Sequence, residues 1–418
     1  MIKNKTLDCG IRLVMEKIPY VQSVAIGIWA KAGSVDEDDE NLGISHFIEH
    51  MLFKGTDSRS AKQIAEDIDK IGGQINAFTS KESTCYYVKS LSTNVEKAAD
   101  VLIDMFMNSK FDEGEMEKEK RVVYEEIHMV EDSPEDDAHD TLYEVLFQGG
   151  PLSKPILGNK KTIKSFSQST IRDYIKKEYT KDNIIIAVAG NFDENQICDF
   201  FVDKLKDLTS VKMEKIDKDL IYTPHFKVKI KDIEQSHICI GTKGLRLNDD
   251  LYSAMSLLNN IMGGSMSSRL FQNIREEKGM AYSVYSFSSS YIKDGFYGIY
   301  AGVSHDMVES AIGAITEELN LLRIKGVTEE ELSTAKEQLK GNHIFSLESV
   351  SGRMASLGRN QLLKGKNLTA QEITDKINGV TMDHIRTVAE KITAIDQYSG
   401  VLIGRQKKDI KKLLLSGF

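Results

Sequence analysis

His46, Glu49 and His50 fall in the order H-x-x-E-H within the segment His46-Phe47-Ile48-Glu49-His50. On a helix, positions i and i+4 lie one above the other on the same face. Two imidazoles placed that way can hold one zinc ion, and a carboxylate just before the second sits beside the metal without ligating it. The segment thus carries two metal ligands and a general base, the parts of a hydrolytic zinc site, in the inverse of the commoner H-E-x-x-H order. Met51-Leu52-Phe53 continues an apolar helical face, and Lys54-Gly55-Thr56 closes it with a glycine stop. An ordinary helix with two solvated histidines has the same five letters, so a third protein ligand is the discriminating requirement.

That ligand should come from another helix rich in carboxylates. Glu115 to Glu131 reads as one long charged helix, with no Gly or Pro before Pro134. It offers Glu119, Glu125 and Glu126. Glu119 and Glu126 are two turns apart and share a face, with Val122 and Val123 between them. Glu125 points about a sixth of a turn or more away and is the closest rival. A charge run is ordinarily a solvated face. Two carboxylates beside apolar residues are less ordinary, because a face turned inward should not carry unpaired charge.

The segment Gly43 to Thr56, GISHFIEHMLFKGT, closely resembles the zinc signature of the pitrilysin/insulinase-type metallopeptidases, the group that includes mitochondrial processing peptidase. The resemblance implies a third ligand at Glu126 and a supporting carboxylate seven residues earlier, at Glu119. It selects Glu126 over Glu125. Asn76-Ala77-Phe78-Thr79 looks like the family's substrate-pairing edge strand. Pro155-Ile156-Leu157-Gly158, Tyr179 and the strand Ile184 to Gly190 look like the end of its first domain. Met266 to Phe271 leads into Arg275 to Tyr282, which resembles the family's substrate-contacting Arg-x6-Tyr pair. Ser349 to Arg359, SVSGRMASLGR, resembles the short bacterial and mitochondrial-processing branch.

Composition agrees with a soluble enzyme. A length of 418 residues suggests two or more domains and can bury a large core. No apolar run approaches a membrane span, and Met1 to Pro19 lacks a signal-peptide h-region and an Arg/Ser-rich presequence character. Cys9, Cys85, Cys198 and Cys239 are scattered, which fits reduced thiols. A bacterial cytoplasmic location is the expectation, with no nucleic-acid or membrane partner. The net charge of −9 disfavours nucleic acid and would suit cationic peptides if the acid lines a cavity. Two acidic stretches flank the metal elements, Asp36 to Glu40 and Glu131 to Asp140. Two solvated loops would look the same.

The order of elements repeats. Strand Val24 to Trp29, helix Gly43 to Phe53, strand Gln74 to Leu91, helix Val95 to Met107 and helix Glu113 to Val130 are echoed in the second half. The counterparts are strand His237 to Thr242, helix Tyr252 to Ile261, strand Ala281 to Tyr291, helix Met307 to Leu322 and helix Thr328 to Phe345. Aligned on Phe111-Asp112-Glu113 and Val327-Thr328-Glu329, Glu119 falls on Ala335 and Glu126 on Asn342. The second copy has no histidine where the first has its motif. The expected organisation is a catalytic domain over 1–212, a Lys- and Asp-rich linker over 213–224 and a metal-free homologous domain over 225–418.

The fold class is α+β. The resemblance implies, for each domain, a largely antiparallel sheet with helices packed on one face, and two chains closing as a clamshell. It implies a zinc endopeptidase with one Zn²⁺ per chain, held by His46, His50 and Glu126. Glu49 would take a proton from a water that the metal acidifies, and Glu119 would orient His50. Asn76, Ala77 and Phe78 would pair with the peptide backbone. Tyr282 would stabilise the oxyanion and Arg275 would hold a substrate carbonyl. In relatives with four such domains on one chain the zinc lies in the first and the Arg/Tyr pair in the fourth, so for a two-domain chain the resemblance implies that a homodimer, or a heterodimer with a paralogous chain, would share its sites. A peptidase dedicated to one precursor, or a non-catalytic assembly subunit of the same fold, are the alternatives.

Overall fold

Continuous apolar runs without alternation are the mark of strands buried on both faces. Two such runs, β3 (Ser23–Ala30) and β6 (Ile184–Gly190), form the centre of the first sheet. The computed structural model describes residues 2–210 and 222–416. The remaining strands of that sheet are β1 (Ile2–Thr6), β2 (Arg12–Lys17), β4 (Gln74–Thr79) and β5 (Thr84–Leu91), in the order β1-β2-β6-β3-β5-β4. Only β2 and β6 run parallel, in register Arg12 to Ile185. The second sheet is β7 (Phe226–Ile230), β8 (Ser236–Lys243), β9 (Ala281–Ser290), β10 (Gly295–Val303) and β11 (Ser399–Gly404), in the order β7-β11-β8-β10-β9. Its single parallel contact, β7 with β11, occupies the same place as β2 with β6. The repeat read in the sequence is therefore a repeat of sheet topology.

The first half carries helices α1 (Ile44–Leu52), α2 (Ala61–Lys70), α3 (Val95–Asn108), α4 (Glu113–Asp132), α5 (Pro134–Leu146), α6 (Lys160–Ser165), α7 (Gln168–Glu178) and α8 (Glu194–Leu205). The second carries α9 (Tyr252–Gly263), α10 (Val308–Lys325), α11 (Glu329–Ser346), α12 (Val350–Lys364), α13 (Ala370–Asn378), α14 (Met382–Ile392) and α15 (Ile410–Ser416). Each sheet buries one face in a core of its own helices. Ile26, Ile28, Tyr86, Val88 and Ile186 meet Phe47, Ile48 and Met51 of α1 and Leu102 of α3. Ile238, Ile240, Ile299 and Leu402 meet Leu258 of α9, Ile315 of α10 and Val388 of α14.

The opposite faces are also partly covered, and the covering helices are exchanged. α12, from the second half of the chain, packs on β2, β3 and β6, and α5, from the first half, packs on β8 and β11. The compact units accordingly place 129–153 with the second sheet and 345–369 with the first, so the packing does not divide as 1–212 and 225–418. The physical reason is local. Gly358 of α12 lies directly against the indole of buried Trp29, and Gly27 of β3 lies against Met354. Gly241 of β8 lies against Leu142 and Leu146 of α5. Most of the expected 213–224 linker falls outside the described residues.

Two further departures concern turns. Gln74 to Leu91, read as one strand, is a hairpin. Ser80-Lys81-Glu82-Ser83 contains no Gly, Pro, Asn or Asp, yet reverses the chain because Ser80 Oγ donates to Ser83 O at 2.8 Å and accepts from Ser83 N–H at 3.2 Å. The apolar strand β10 lies beyond the segment read as strand in the second half, across a turn from β9, and is internal to its sheet between β8 and β9.

Candidate active site

α1 is amphipathic. Ile44, Phe47, Ile48, Met51 and Leu52 are buried, which leaves His46, Glu49 and His50 on the remaining arc. Its start is fixed by a close approach. Gly43 has φ 88°, and a Cβ there would strike the backbone of Leu157 and Gly158. The Pro155-to-Gly158 segment is thus the stop against which the helix begins. Gly43 offers no side-chain cap, and Glu37 fills that role: its carboxylate accepts Gly43 N–H at 2.7 Å and Ser45 N–H at 2.9 Å. Glu37 is 1% exposed, and burial pushes its carboxyl up to about 7 against those two bonds.

α4 turns Met116, Glu119, Lys120, Val123 and Ile127 inward. Val122, expected between the two carboxylates on that face, is instead 43% exposed, because the inward arc runs through Val123. Glu125 is exposed. Glu126 Oε2 lies 3.6 Å from His46 Nε2 and 3.4 Å from His50 Nε2. The three donor atoms lie within 4.8 Å of one another, the one set of three or more His, Cys, Asp or Glu among the described residues so arranged. Glu119 is buried and divided between two partners: Oε2 faces His50 Nδ1 at 3.0 Å, and Oε1 meets Lys54 Nζ at 2.6 Å. With Nδ1–H given to Glu119, the Nε2 lone pair of His50 is directed at Glu126.

A divalent cation fits this set. Glu126 Oε2 is buried and has no hydrogen-bond partner among the described residues. Burial, then the neighbouring His50, lowers His46 to about 3, so its imidazole is neutral near pH ~7. Two imidazole lone pairs and a carboxylate oxygen facing one another repel unless a cation lies between them. Zinc bonds of ~2.0–2.2 Å in tetrahedral array require ligand atoms roughly 3.3–3.5 Å apart, close to the separations here. Among the described residues His46 Nδ1 is buried without a partner, unlike its counterpart in His50.

Glu49 sits one residue before His50, and its Oε2 accepts a 2.5 Å bond from Thr79 Oγ1. Burial raises its carboxyl, Thr79 and His50 lower it, and Glu126 raises it again. Thr79 ends β4, which is the edge of its sheet. Asn76 and Phe78 are exposed on that strand and Ala77 is half-buried. Phe78 stacks edge-on against Trp29 at 5.4 Å.

In the second unit, Arg275 lies on a π-helical segment, Phe271–Glu277, that leads to β9. Its guanidinium sits 4.7 Å from the Phe271 ring and 5.5 Å from that of Tyr282. Tyr282 falls at a bulge: Gly302 pairs with Ser283 and Val303 with Ala281, which leaves Tyr282 unopposed and 77% exposed. A bulge re-aims a side chain at the rim of a sheet.

Lys54 and Glu37 escaped the sequence reading as parts of this site, and Thr79 entered it only as the last residue of the substrate-pairing strand. Lys54 had a signal, since it stands four residues after His50, just past the end of α1. Thr79 continues the alternation Ile75, Ala77, Thr79. Glu37 had none, being one letter in an acidic run. Neither acidic run is simply solvated. Asp137 is buried between Lys229 and Lys231, and Glu135 accepts from Tyr285 at 2.6 Å.

The family model described as "Insulinase (Peptidase family M16)" matches residues 12–160, and that of the "Peptidase M16 inactive domain" matches 165–339. An uncharacterized zinc protease of Bacillus subtilis, YmxG, is 45% identical over 398 residues, spanning 95% of this chain and 97% of that one. Among solved structures, the peptidase M16 inactive domain from Pseudomonas fluorescens superposes with a TM-score of 0.90 at 19% identity, covering 98% of this chain and 99% of that one. A chain of complex III2 from Candida albicans superposes with a TM-score of 0.86 at 22% identity, covering both in full.

Proposed function

The chain belongs to the insulinase-type peptidase family M16, and from that premise we propose that it is a zinc-dependent endopeptidase acting on unfolded peptides or small polypeptides. The observation that carries the reading is the convergence of His46, His50 and Glu126 with Glu49 alongside. His46, His50 and Glu126 hold one zinc per chain, and Glu119, braced by Lys54, keeps His50 in its ligating tautomer. When bound, zinc supplies Lewis acidity at the scissile peptide bond. Glu49 takes a proton from the attacking water and returns it to the leaving amine. The outer edge of β4 at Asn76, Ala77 and Phe78 pairs with substrate backbone, which gives affinity with loose sequence preference. Tyr282 donates to the oxyanion and Arg275 to a substrate carbonyl. These two lie in the half without metal ligands, so the reading includes a pair of chains, each completing the other's site.

The likeness to a complex III2 chain supports a second reading, an assembly subunit of the same fold. That reading requires none of the zinc residues, and the chain has all of them. Digestion of a peptide library with and without 1,10-phenanthroline tests the choice. Chelator-sensitive cleavage supports the peptidase, and no cleavage by zinc-loaded protein overturns it.

A further inference from the structure

We propose that Thr79 is a positioning residue that ties the general base to the substrate-pairing strand. This inference rests on the role given to Glu49 above. Glu49 stands on the rim of α1, flanked by apolar residues that hold the helix and not its own carboxylate. Among the described residues, the one side chain that donates a hydrogen bond to that carboxylate is Thr79, at 2.5 Å. This separation is at the short end for a hydroxyl bonded to a charged acceptor.

The hydroxyl has little choice of partner. Its nearest alternative is Thr84 Oγ1, 3.4 Å away across the β4–β5 pair. Thr84 Oγ1 already donates to Ala32 O at 2.8 Å, and its residue is fully buried. Thr84 Oγ1 could still accept, but at 3.4 Å it is the more distant acceptor, and the carboxylate of Glu49 at 2.5 Å takes the Thr79 hydrogen. A β-branched residue in a strand has a stiff first torsion, so the oxygen is held where the backbone puts it. Alternation along β4 then does the rest. Ile75, Ala77 and Thr79 face α1, while β4 is the outermost strand of its sheet and Ala77 N–H there donates to Asn76 Oδ1 at 2.8 Å. The strand that receives the peptide thus fixes the base one residue further on, and seating a substrate on β4 steadies Glu49 at the same moment.

The test is a cycle of Thr79→Val, Thr79→Ser and Glu49→Gln in the zinc-loaded full chain, with metal content checked for each. Loss of one hydrogen bond to a charged group predicts a fall in kcat of about 10- to 100-fold for Thr79→Val, with zinc content and KM little changed. Thr79→Ser, which keeps the hydroxyl, should recover most of that loss. In a Glu49→Gln background Thr79→Val should lower the residual rate no further, and melting temperatures around the cycle should be non-additive. The inference is overturned by a Thr79→Val enzyme with wild-type kcat, by a Thr79→Ser enzyme as slow as Thr79→Val, or by additive effects in both rate and melting. A fully active Glu49→Gln enzyme sinks the role of the base itself. An inactive Glu49→Gln beside an unaffected Thr79→Val sinks only the tie between them.

Discussion

The two halves of this chain build the same sheet and put different chemistry on it. β2-β6-β3-β5-β4 and β7-β11-β8-β10-β9 agree strand for strand, down to the one parallel contact in each. α1 and α9 occupy the same step of the repeat. α1 leaves His46, Glu49 and His50 off its buried face, whereas α9 buries Leu257, Leu258, Asn260 and Ile261 and contains no His, Asp or Glu. On the next pair, Glu119 of α4 is buried against His50 and Lys54, and its counterpart Ala335 of α11 is buried in an apolar core. The scaffold therefore folds without the metal set. What distinguishes the halves is a handful of side chains, and a carboxylate becomes tolerable at the buried helix position only where cationic or imidazole partners meet it.

The sharpest way to break this comparison is to attack the half that holds the zinc residues. Glu49→Gln should keep the metal and lower kcat by about 10²–10⁴-fold. Activity within a few-fold of wild type would remove the base from the first half. Glu126→Gln should lose zinc while Glu125→Gln keeps it, since the exposed carboxylate points elsewhere, and metal analysis of the two purified variants decides the matter. The second half is tested by complementation. Glu49→Gln and Tyr282→Phe chains, each nearly inactive alone, should regain up to about half of wild-type activity per heterodimer when mixed, because one site of the pair is then intact. A mixture that stays inactive after verified exchange would end the shared-site model.

The chemistry was more legible in the sequence than the packing was. The spacing of His46, Glu49 and His50 identifies a helical face because side-chain direction on a helix is periodic, and the two-turn step from Glu119 to Glu126 works for the same reason. The step is approximate, which is why Val122 fell on the wrong side of the arc. The hairpin at Ser80 to Ser83 was invisible because its turn is held by serine hydroxyls and not by residues with special backbone freedom. The exchange of α5 and α12 was invisible for a deeper reason. Both are amphipathic helices, and nothing in a helix's own periodicity says whose sheet it covers. The information resides in the partner, in Trp29 for Gly358 and in Gly241 for Leu142 and Leu146.

Those exchanged helices give a comparison of intermediate size. At Gly358 a methyl group would strike the buried Trp29 indole at Nε1 and Cδ1, well under contact distance. At Gly241 it would meet Tyr297 O at 3.0 Å and the Leu142 and Leu146 methyls at 3.3 Å, which can give way. Gly358→Ala should therefore destabilise by about 1–3 kcal/mol, and Gly241→Ala by less. Urea denaturation with unchanged slopes measures both. Equal losses would mean that α12 and α5 are seated with the same tolerance.

The smallest effect separates the two N-terminal caps. α1 is held by buried Glu37, whereas the segment entering α9 is held by Asp249, whose partly exposed carboxylate accepts Leu251 N–H at 2.9 Å. Burial raises Glu37 from 4.5 to about 7 in the folded chain. The folded state thus binds this proton more tightly than the unfolded state does. The stability it contributes is present in full below the unfolded value and is lost as pH rises through the folded one. Between about pH 6 and about pH 8 that loss is on the order of 1 kcal/mol. Chelator-treated protein should therefore show a falling melting temperature across this window, with zinc ligation removed as a competing source of pH dependence. Glu37→Gln should flatten the slope, at the cost of one of the two backbone bonds, because an amide oxygen replaces one acceptor and a donor replaces the other. Asp249→Asn should leave the slope as it was. A slope that survives Glu37→Gln would place the titration elsewhere and leave the two caps physically alike.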